Sequence, residues 1–228
     1  MTVALLAINI TVLAFFDERA SRVVRFLSMV VFYAIFLLDM YYKRNALLIL
    51  GALVVNDLLL VFYESTMSQD LIMFIRLCAF LLLARLVFPY LRKIKVKPFE
   101  GILFTVILIM NLLLLYSIQD SINAVNKEGL LGEILVYGYG TAVIISVSAA
   151  FTFYSRYFDK ASIFFLLAIL GLVLSDFTYF IGFYLEFPVF YYLDRAFNIL
   201  AVGFLLHFIF LFKRKIARGF YDGAGESL

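Results

Sequence analysis

The sequence predicts an all-α integral membrane protein with eight transmembrane helices and a parallel four-plus-four internal repeat. Of its 228 residues, 65% are hydrophobic and only 15% are charged, against about 45–50% and 25% in soluble domains. A mean hydropathy of +1.05 over the whole chain means that many apolar residues must face lipid. The composition excludes a soluble enzyme, a disordered chain, a disulfide scaffold and a nucleic-acid-binding module.

The elements follow from the apolar runs, because a membrane-crossing helix needs about 20 mostly apolar residues. The segments that meet this requirement are 2–16, 24–42, 46–63, 71–91, 99–118, 134–155, 162–184 and 190–212. They form one transmembrane domain over residues 1–212, and residues 213–228 form a basic and then polar cytoplasmic tail. The first segment has no basic region before it, so we expect a retained span rather than a cleaved signal peptide.

Basic residues in the loops predict the orientation, since Lys and Arg concentrate on the cytoplasmic side. The loops after the even-numbered spans carry twelve of the nineteen Lys and Arg residues. We therefore expect both termini in the cytoplasm, in a bacterial inner membrane. Arg19, Arg22 and Arg25 break this rule: either the first span is not a span, or these arginines act near the outer surface.

Spans three and four resemble spans seven and eight at a constant offset of 119 residues. At this offset Asp57 aligns with Asp176, and Arg76 aligns with Arg195, without a gap. Apolar segments align easily by chance, so the matched charges carry the comparison. Because the offset covers an even number of spans, the two halves of a duplicated protein would have the same orientation.

Polar residues inside the spans cost about 2.5–3.5 kcal/mol each when charged, and they usually face the bundle interior. A helix rises about 1.5 Å per residue, so positions along the predicted spans can be converted into depths in the membrane. Seven polar residues fall within one layer about 10 Å thick in the outer half of the membrane: Arg25, Asp57, Arg76, Asp176, Asp194, Arg195 and Asn198. A structural interpretation pairs Asp57 with Arg76, and Asp176 with Arg195. A functional interpretation is a polar pocket in which Asp57 and Asp176 lie close together. Two adjacent carboxylates cannot both ionise cheaply, so such a pair supplies a general acid and a general base.

Two features of span six have structural interpretations. Small residues at helical spacing, Gly138, Ala142, Ser146 and Ala150, predict a face for close packing against a neighbouring helix. Tyr137 and Tyr139, near its outer end, either line the pocket or belong to the aromatic belt at the membrane surface, and we favour the belt. A single Cys78 and a single His207 cannot build an ordinary zinc site or a Cys–His dyad, and we expect no cofactor.

Two aspartate motifs support a family resemblance. Asn56-Asp57 ends an apolar run, and Ser175-Asp176 near the end of span seven is followed by Phe187-Pro188. With these motifs and its eight predicted spans, the chain resembles a divergent member of the YhhN-like lysoplasmalogenase family. It departs from the family pattern at Asn56, where the family has glycine. The family's histidine in span four and the Tyr and Gln pattern of its last helix are also missing.

The resemblance implies hydrolysis of the vinyl ether bond of a lysoplasmalogen to a fatty aldehyde and a glycerophospho-base, without metal or nucleotide. Asp57 and Asp176 would be the acid and base. The substrate-binding residues would be Arg25, Arg76, Asp194, Arg195 and Asn198. The partner would be a membrane lipid or lysolipid, and no nucleic acid is expected. Two alternatives use the same pocket: a non-catalytic lipid-binding or sensor protein, and a small-molecule transporter.

Overall fold

Helices make up the described chain. A computed structural model describes residues 1–38, 44–62, 66–91, 109 and 130–217, and this part contains seven α-helices and no strand. The helices are α1 (Thr2–Phe15), α2 (Glu18–Leu38), α3 (Arg44–Val61), α4 (Thr66–Leu91), α5 (Leu130–Tyr157), α6 (Lys160–Tyr184) and α7 (Phe190–Ala217). Five of them, α2 and α4 to α7, are long and apolar enough to cross a membrane, and α1 and α3 are shorter apolar helices. These features are those of a multi-pass helical membrane protein.

The helices follow the predicted spans with shifted ends. Helix α2 begins at Glu18, six residues before the predicted start at residue 24, so Arg22 and Arg25 belong to the helix rather than to a loop. Helix α7 continues to Ala217, into the segment predicted as the tail. The predicted span 99–118 lies outside the described residues, apart from residue 109, and the eight-span count stays a prediction.

A short, capped connection joins α5 to α6. Between α5 and α6 the chain turns at Phe158, whose φ of 43° is left-handed, and Asp159 then caps α6. The Asp159 carboxylate accepts a hydrogen bond from the Ser162 backbone N–H at 2.7 Å, and the Ser162 hydroxyl accepts one from the Asp159 backbone N–H at 3.0 Å. This reciprocal capping box satisfies two otherwise unpaired donors and fixes the start of α6 next to the end of α5.

Close helix approach depends on small residues at two interfaces. A Cβ on Gly171 of α6 would lie 2.9 Å from the Ala201 Cβ of α7, so only glycine allows this distance. Helix α5 corresponds to predicted span six. Its predicted packing face is confirmed, because Ala142, Ser146 and Ala150 are buried. The Ser146 hydroxyl also donates a hydrogen bond to the Phe80 carbonyl of α4 at 2.7 Å.

An aromatic core lies towards one end of the bundle. Phe153 of α5, Phe165 of α6 and Phe208 of α7 are fully buried, with ring centroids 4.7–6.2 Å apart. These distances are those of mutually packed aromatic rings. The buried charged residues lie towards the other end, where α2, α4 and α7 begin and α3 and α6 end. The fold thus separates an apolar end from a polar end.

Candidate functional site

A neutral set of buried charges lies at the polar end of the bundle. It consists of Arg25 on α2, Asp57 on α3, Arg76 on α4, Asp176 on α6, and Asp194 and Arg195 on α7, and is called the charge cluster below. Three arginines balance three aspartates. Five of the six side chains are at most 5% exposed, and only that of Asp176, at 24%, is appreciably accessible. Five helices therefore converge on one desolvated polar region.

Arg25 connects three helices. Its Nε donates a hydrogen bond to Asp57 Oδ2 at 3.1 Å, and its Nη1 donates to both carboxylate oxygens of Asp194 at 3.0 and 2.8 Å. A guanidinium is a rigid fork of five donors and always charged, so it can hold two carboxylates at once. Arg25 thereby links α2 to α3 and to α7.

Asp194 is fully engaged. Besides Arg25, it accepts hydrogen bonds from the Ser175 hydroxyl at 2.6 Å and from Arg195 Nη1 at 2.5 Å. The Arg195 Nε donates in turn to the Ser21 hydroxyl at 3.1 Å. An ionised carboxylate has about four lone-pair sites, and those of Asp194 are used within the protein. Asp194 and Arg195 therefore form the structural part of the cluster.

Asp176 is held in a different way. Arg76 binds it through two hydrogen bonds, from Nε to Oδ2 at 3.0 Å and from Nη2 to Oδ1 at 2.5 Å. The Tyr139 hydroxyl donates to Asp176 Oδ2 at 2.6 Å. This bidentate pair carries short, charge-assisted hydrogen bonds around the one accessible carboxylate of the charge cluster.

Asp57 is buried but loosely held. Its three hydrogen bonds are the 3.1 Å contact from Arg25, one from Asn56 Nδ2 to Oδ1 at 3.3 Å, and one from Asn198 Nδ2 to Oδ2 at 3.4 Å. The residue is 1% exposed. All three contacts lie beyond the usual distance for a charge-assisted bond, so this anion keeps acceptor capacity.

The predicted site residues converge, but not with the predicted partners. Arg25, Asp57, Asp194, Arg195 and Asn198 belong to one hydrogen-bonded network. Arg76 and Asp176 form a separate ion pair, and both lie within electrostatic range of Arg25.

The predicted ion pairs, Asp57 with Arg76 and Asp176 with Arg195, are wrong. Asp57 bonds to Arg25 and Asp176 bonds to Arg76, because the packing of the helices, rather than order along the chain, sets which charges meet. Asp57 and Asp176 are each held by a different arginine.

Sequence reasoning missed three hydrogen-bond partners of the charge cluster: Tyr139 binds Asp176, Ser175 binds Asp194 and Ser21 binds Arg195. Tyr139 was assigned to the aromatic belt, which is wrong, since its hydroxyl binds Asp176. The apolar pattern does not separate it from Tyr137, which is 37% exposed. Ser21 precedes Arg25 by four residues and so shares its helix face, and Ser175 directly precedes Asp176. The spacing of Ser21 could have placed it in the cluster. The position of Ser175 could not, because adjacent helix residues do not share a face, and Ser175 binds Asp194 on another helix.

A further ion pair lies one helical turn before Arg25. Arg22 Nη2 is 2.5 Å from Glu18 Oε1, with side chains 9% and 43% exposed, respectively. Arg22 also lies within electrostatic range of Tyr179 and Tyr191. The Arg22–Glu18 pair therefore lies between the charge cluster and the polar end of the bundle.

The donor types in the described chain indicate what the site can bind. No group of three or more His, Cys, Asp or Glu side chains there is arranged to hold a metal ion. The charge cluster instead offers arginines for anions and aspartates for proton transfer, and the adjacent Asn56 and Asn198 add amide groups. In the comparisons with known proteins, no family model, no curated protein and no solved structure matches the chain.

Proposed function

We propose that the chain is a membrane hydrolase acting on the vinyl ether bond of lysoplasmalogen-type lysolipids, with Asp176 and Asp57 as general acid and base. The observation that supports this most is the charge cluster, which is neutral and buried within an apolar bundle and offers one accessible carboxylate. The proposal includes the eight-span, four-plus-four architecture. It also places the cluster towards the outer surface of a bacterial inner membrane, with both termini cytoplasmic.

The chemistry needs a proton donor and a buried anion. Protonation of the alkene carbon of R–CH=CH–O–R′ gives an oxocarbenium ion, and water then adds to the carbon that bears the oxygen. The hemiacetal collapses to the aldehyde R–CH₂–CHO and the free alcohol HO–R′. Asp176 is accessible enough to deliver the proton, whereas the buried Asp57 would stabilise the cation and take the proton of the attacking water.

Arg76 connects substrate binding to the acid. A phosphate group is a bidentate partner for arginine of the same kind as a carboxylate. A lysolipid phosphate that takes Arg76 away from Asp176 leaves this carboxylate partly desolvated and without its cation. Binding of the head group would thus free Asp176 from Arg76 to act as the general acid.

A non-catalytic lipid-binding or sensor protein is the second candidate. It is favoured by the complete charge pairing of the cluster, in which each of the three aspartates already contacts an arginine. Such a protein would bind a lysolipid at the same residues and release it unchanged.

The test is aldehyde release by the purified full chain in nanodiscs. The substrates are a vinyl ether lysolipid and its matched alkyl ether and acyl ester analogues. We expect aldehyde from the vinyl ether only, and a loss of at least about 100-fold in Asp176→Asn, in the range of general acid catalysis. Arg85→Gln is the control, because Arg85 is exposed and about 13 Å further along α4 than Arg76.

The outcomes separate the candidates. Binding of the vinyl ether lysolipid without aldehyde release would favour the sensor. Full activity in Asp176→Asn would show that Asp176 is not the general acid.

A further inference from the structure

Two buried amide oxygens beside Asp57 lack hydrogen-bond partners. Asn56 and Asn198 are 2% and 1% exposed, and each donates its Nδ2 to the Asp57 carboxylate. Within the described chain, the Oδ1 of each is buried without a partner. A buried acceptor left unpaired costs about 1–3 kcal/mol, and Asn56 and Asn198 flank the same carboxylate.

The orientation of the two amides follows from their neighbour. If either amide were turned over, its carbonyl oxygen would face the lone pairs of Asp57, and acceptor would oppose acceptor. With Nδ2 towards the carboxylate, the amide hydrogens are used and the carbonyl oxygens face away from it. The unpaired oxygens are therefore a consequence of the position of Asp57.

The site is rich in acceptors and already contains a cation. Asp57 Oδ1 accepts one long bond, at 3.3 Å, and adds acceptor capacity to that of Asn56 and Asn198. Arg25 stands 3.1 Å from the same carboxylate, which disfavours a second positive group such as the ammonium of a head group. A neutral donor such as a hydroxyl group suits a site that has unpaired acceptors and already contains a positive charge.

We propose that Asn56, Asn198 and Asp57 form an acceptor site for the free glycerol hydroxyl of the lysolipid. This inference rests on the proposed function and names the residues that select its substrate. An acyl chain at that hydroxyl would replace the donor with an ester, which has only acceptors. The site thus favours lysolipids over their diacyl counterparts, because the hydroxyl brings one donor to these acceptors and an ester brings none.

The test compares affinities of the full chain for three probes. These are a vinyl ether lysophospholipid, its analogue with hydrogen in place of the glycerol hydroxyl, and its analogue with an acetyl ester there. We expect the wild type to bind the hydroxyl-bearing lipid about 10- to 100-fold more tightly than either analogue, the range expected for an unpaired buried acceptor. The wild-type comparison needs no variant and so stands even where a substitution prevents folding.

Variants assign the selectivity to residues. Leucine has the same branching as asparagine but no acceptor, so Asn56→Leu and Asn198→Leu should each reduce the affinity ratio at least several-fold. Asn9→Leu is the matched control: Asn9 is also fully buried with an unpaired Oδ1, but it bonds to Ser28 and Leu5 and should leave the ratio unchanged.

The outcomes distinguish this inference from the proposed function. Aldehyde release together with equal affinity for all three probes overturns the hydroxyl site and leaves the hydrolase standing. A preference that persists in both Asn56→Leu and Asn198→Leu, or that Asn9→Leu also removes, overturns the assignment to these residues. Absence of both lysolipid binding and aldehyde release overturns both proposals.

Discussion

Asp57 and Asp176 occupy matching positions in the predicted repeat, yet their surroundings differ. Asp57 is 1% exposed and accepts bonds of 3.1–3.4 Å, whereas the Asp176 side chain is 24% exposed and accepts bonds of 2.5–3.0 Å. One carboxylate is deep and loosely held, and the other is accessible and tightly held. The two aspartates that align at the 119-residue offset thus lie in unlike environments, as the proposed acid and base roles require.

Part of the difference comes from helices outside the segments that align at the 119-residue offset. Arg25 on α2 binds Asp57, and Tyr139 on α5 binds Asp176. Neither helix belongs to the segments that align at the 119-residue offset. The aspartates therefore share a motif. Arg25 and Tyr139 come from the rest of the chain, whereas Arg76, the arginine that binds Asp176, comes from an aligned segment.

The largest expected effect comes from the Asp57 side, in Arg25→Gln. This change leaves Asp57 and Asp194 buried without the guanidinium that joins them, and breaking a buried ion pair costs about 3–5 kcal/mol. We expect a loss of this size in the free energy of unfolding, measured by SDS titration in mixed micelles. Arg85→Gln, at an exposed position, should change it little. Equal stability of Arg25→Gln and the wild type would show that Arg25 does not hold these helices together.

A smaller effect is expected on the Asp176 side, in Tyr139→Phe. The variant removes one hydrogen bond of 2.6 Å to the carboxylate and keeps the ring that packs against Phe80. A hydrogen bond to a charged group contributes about 1.5–3 kcal/mol, so the free energy of unfolding in the same SDS titration should fall by about this amount. Tyr137→Phe is the matched control on the exposed face of α5. Equal stability of the two variants would show that the Tyr139 hydroxyl does not stabilise the fold.

The sequence was sufficient for some features and not for others. Apolar runs located the seven described helices, and the cost of buried charge predicted that Arg25, Asp57 and Asp194 would meet inside the bundle. Periodicity could not predict which arginine each aspartate binds, because partners depend on helix packing and side-chain reach. It also could not distinguish Tyr139 from Tyr137, since both residue positions suit a membrane surface equally well.

Joint action of Asp57 and Asp176 is tested most directly by a double-mutant cycle in kcat/KM for aldehyde release from a vinyl ether lysolipid. The cycle compares Asp57→Asn, Asp176→Asn and the double variant with the wild type. Catalytic groups that act as a unit are strongly non-additive, so we predict that the double variant is no more than a few-fold slower than the slower single variant. Losses that multiply, or full activity in either single variant, would contradict a shared acid–base role.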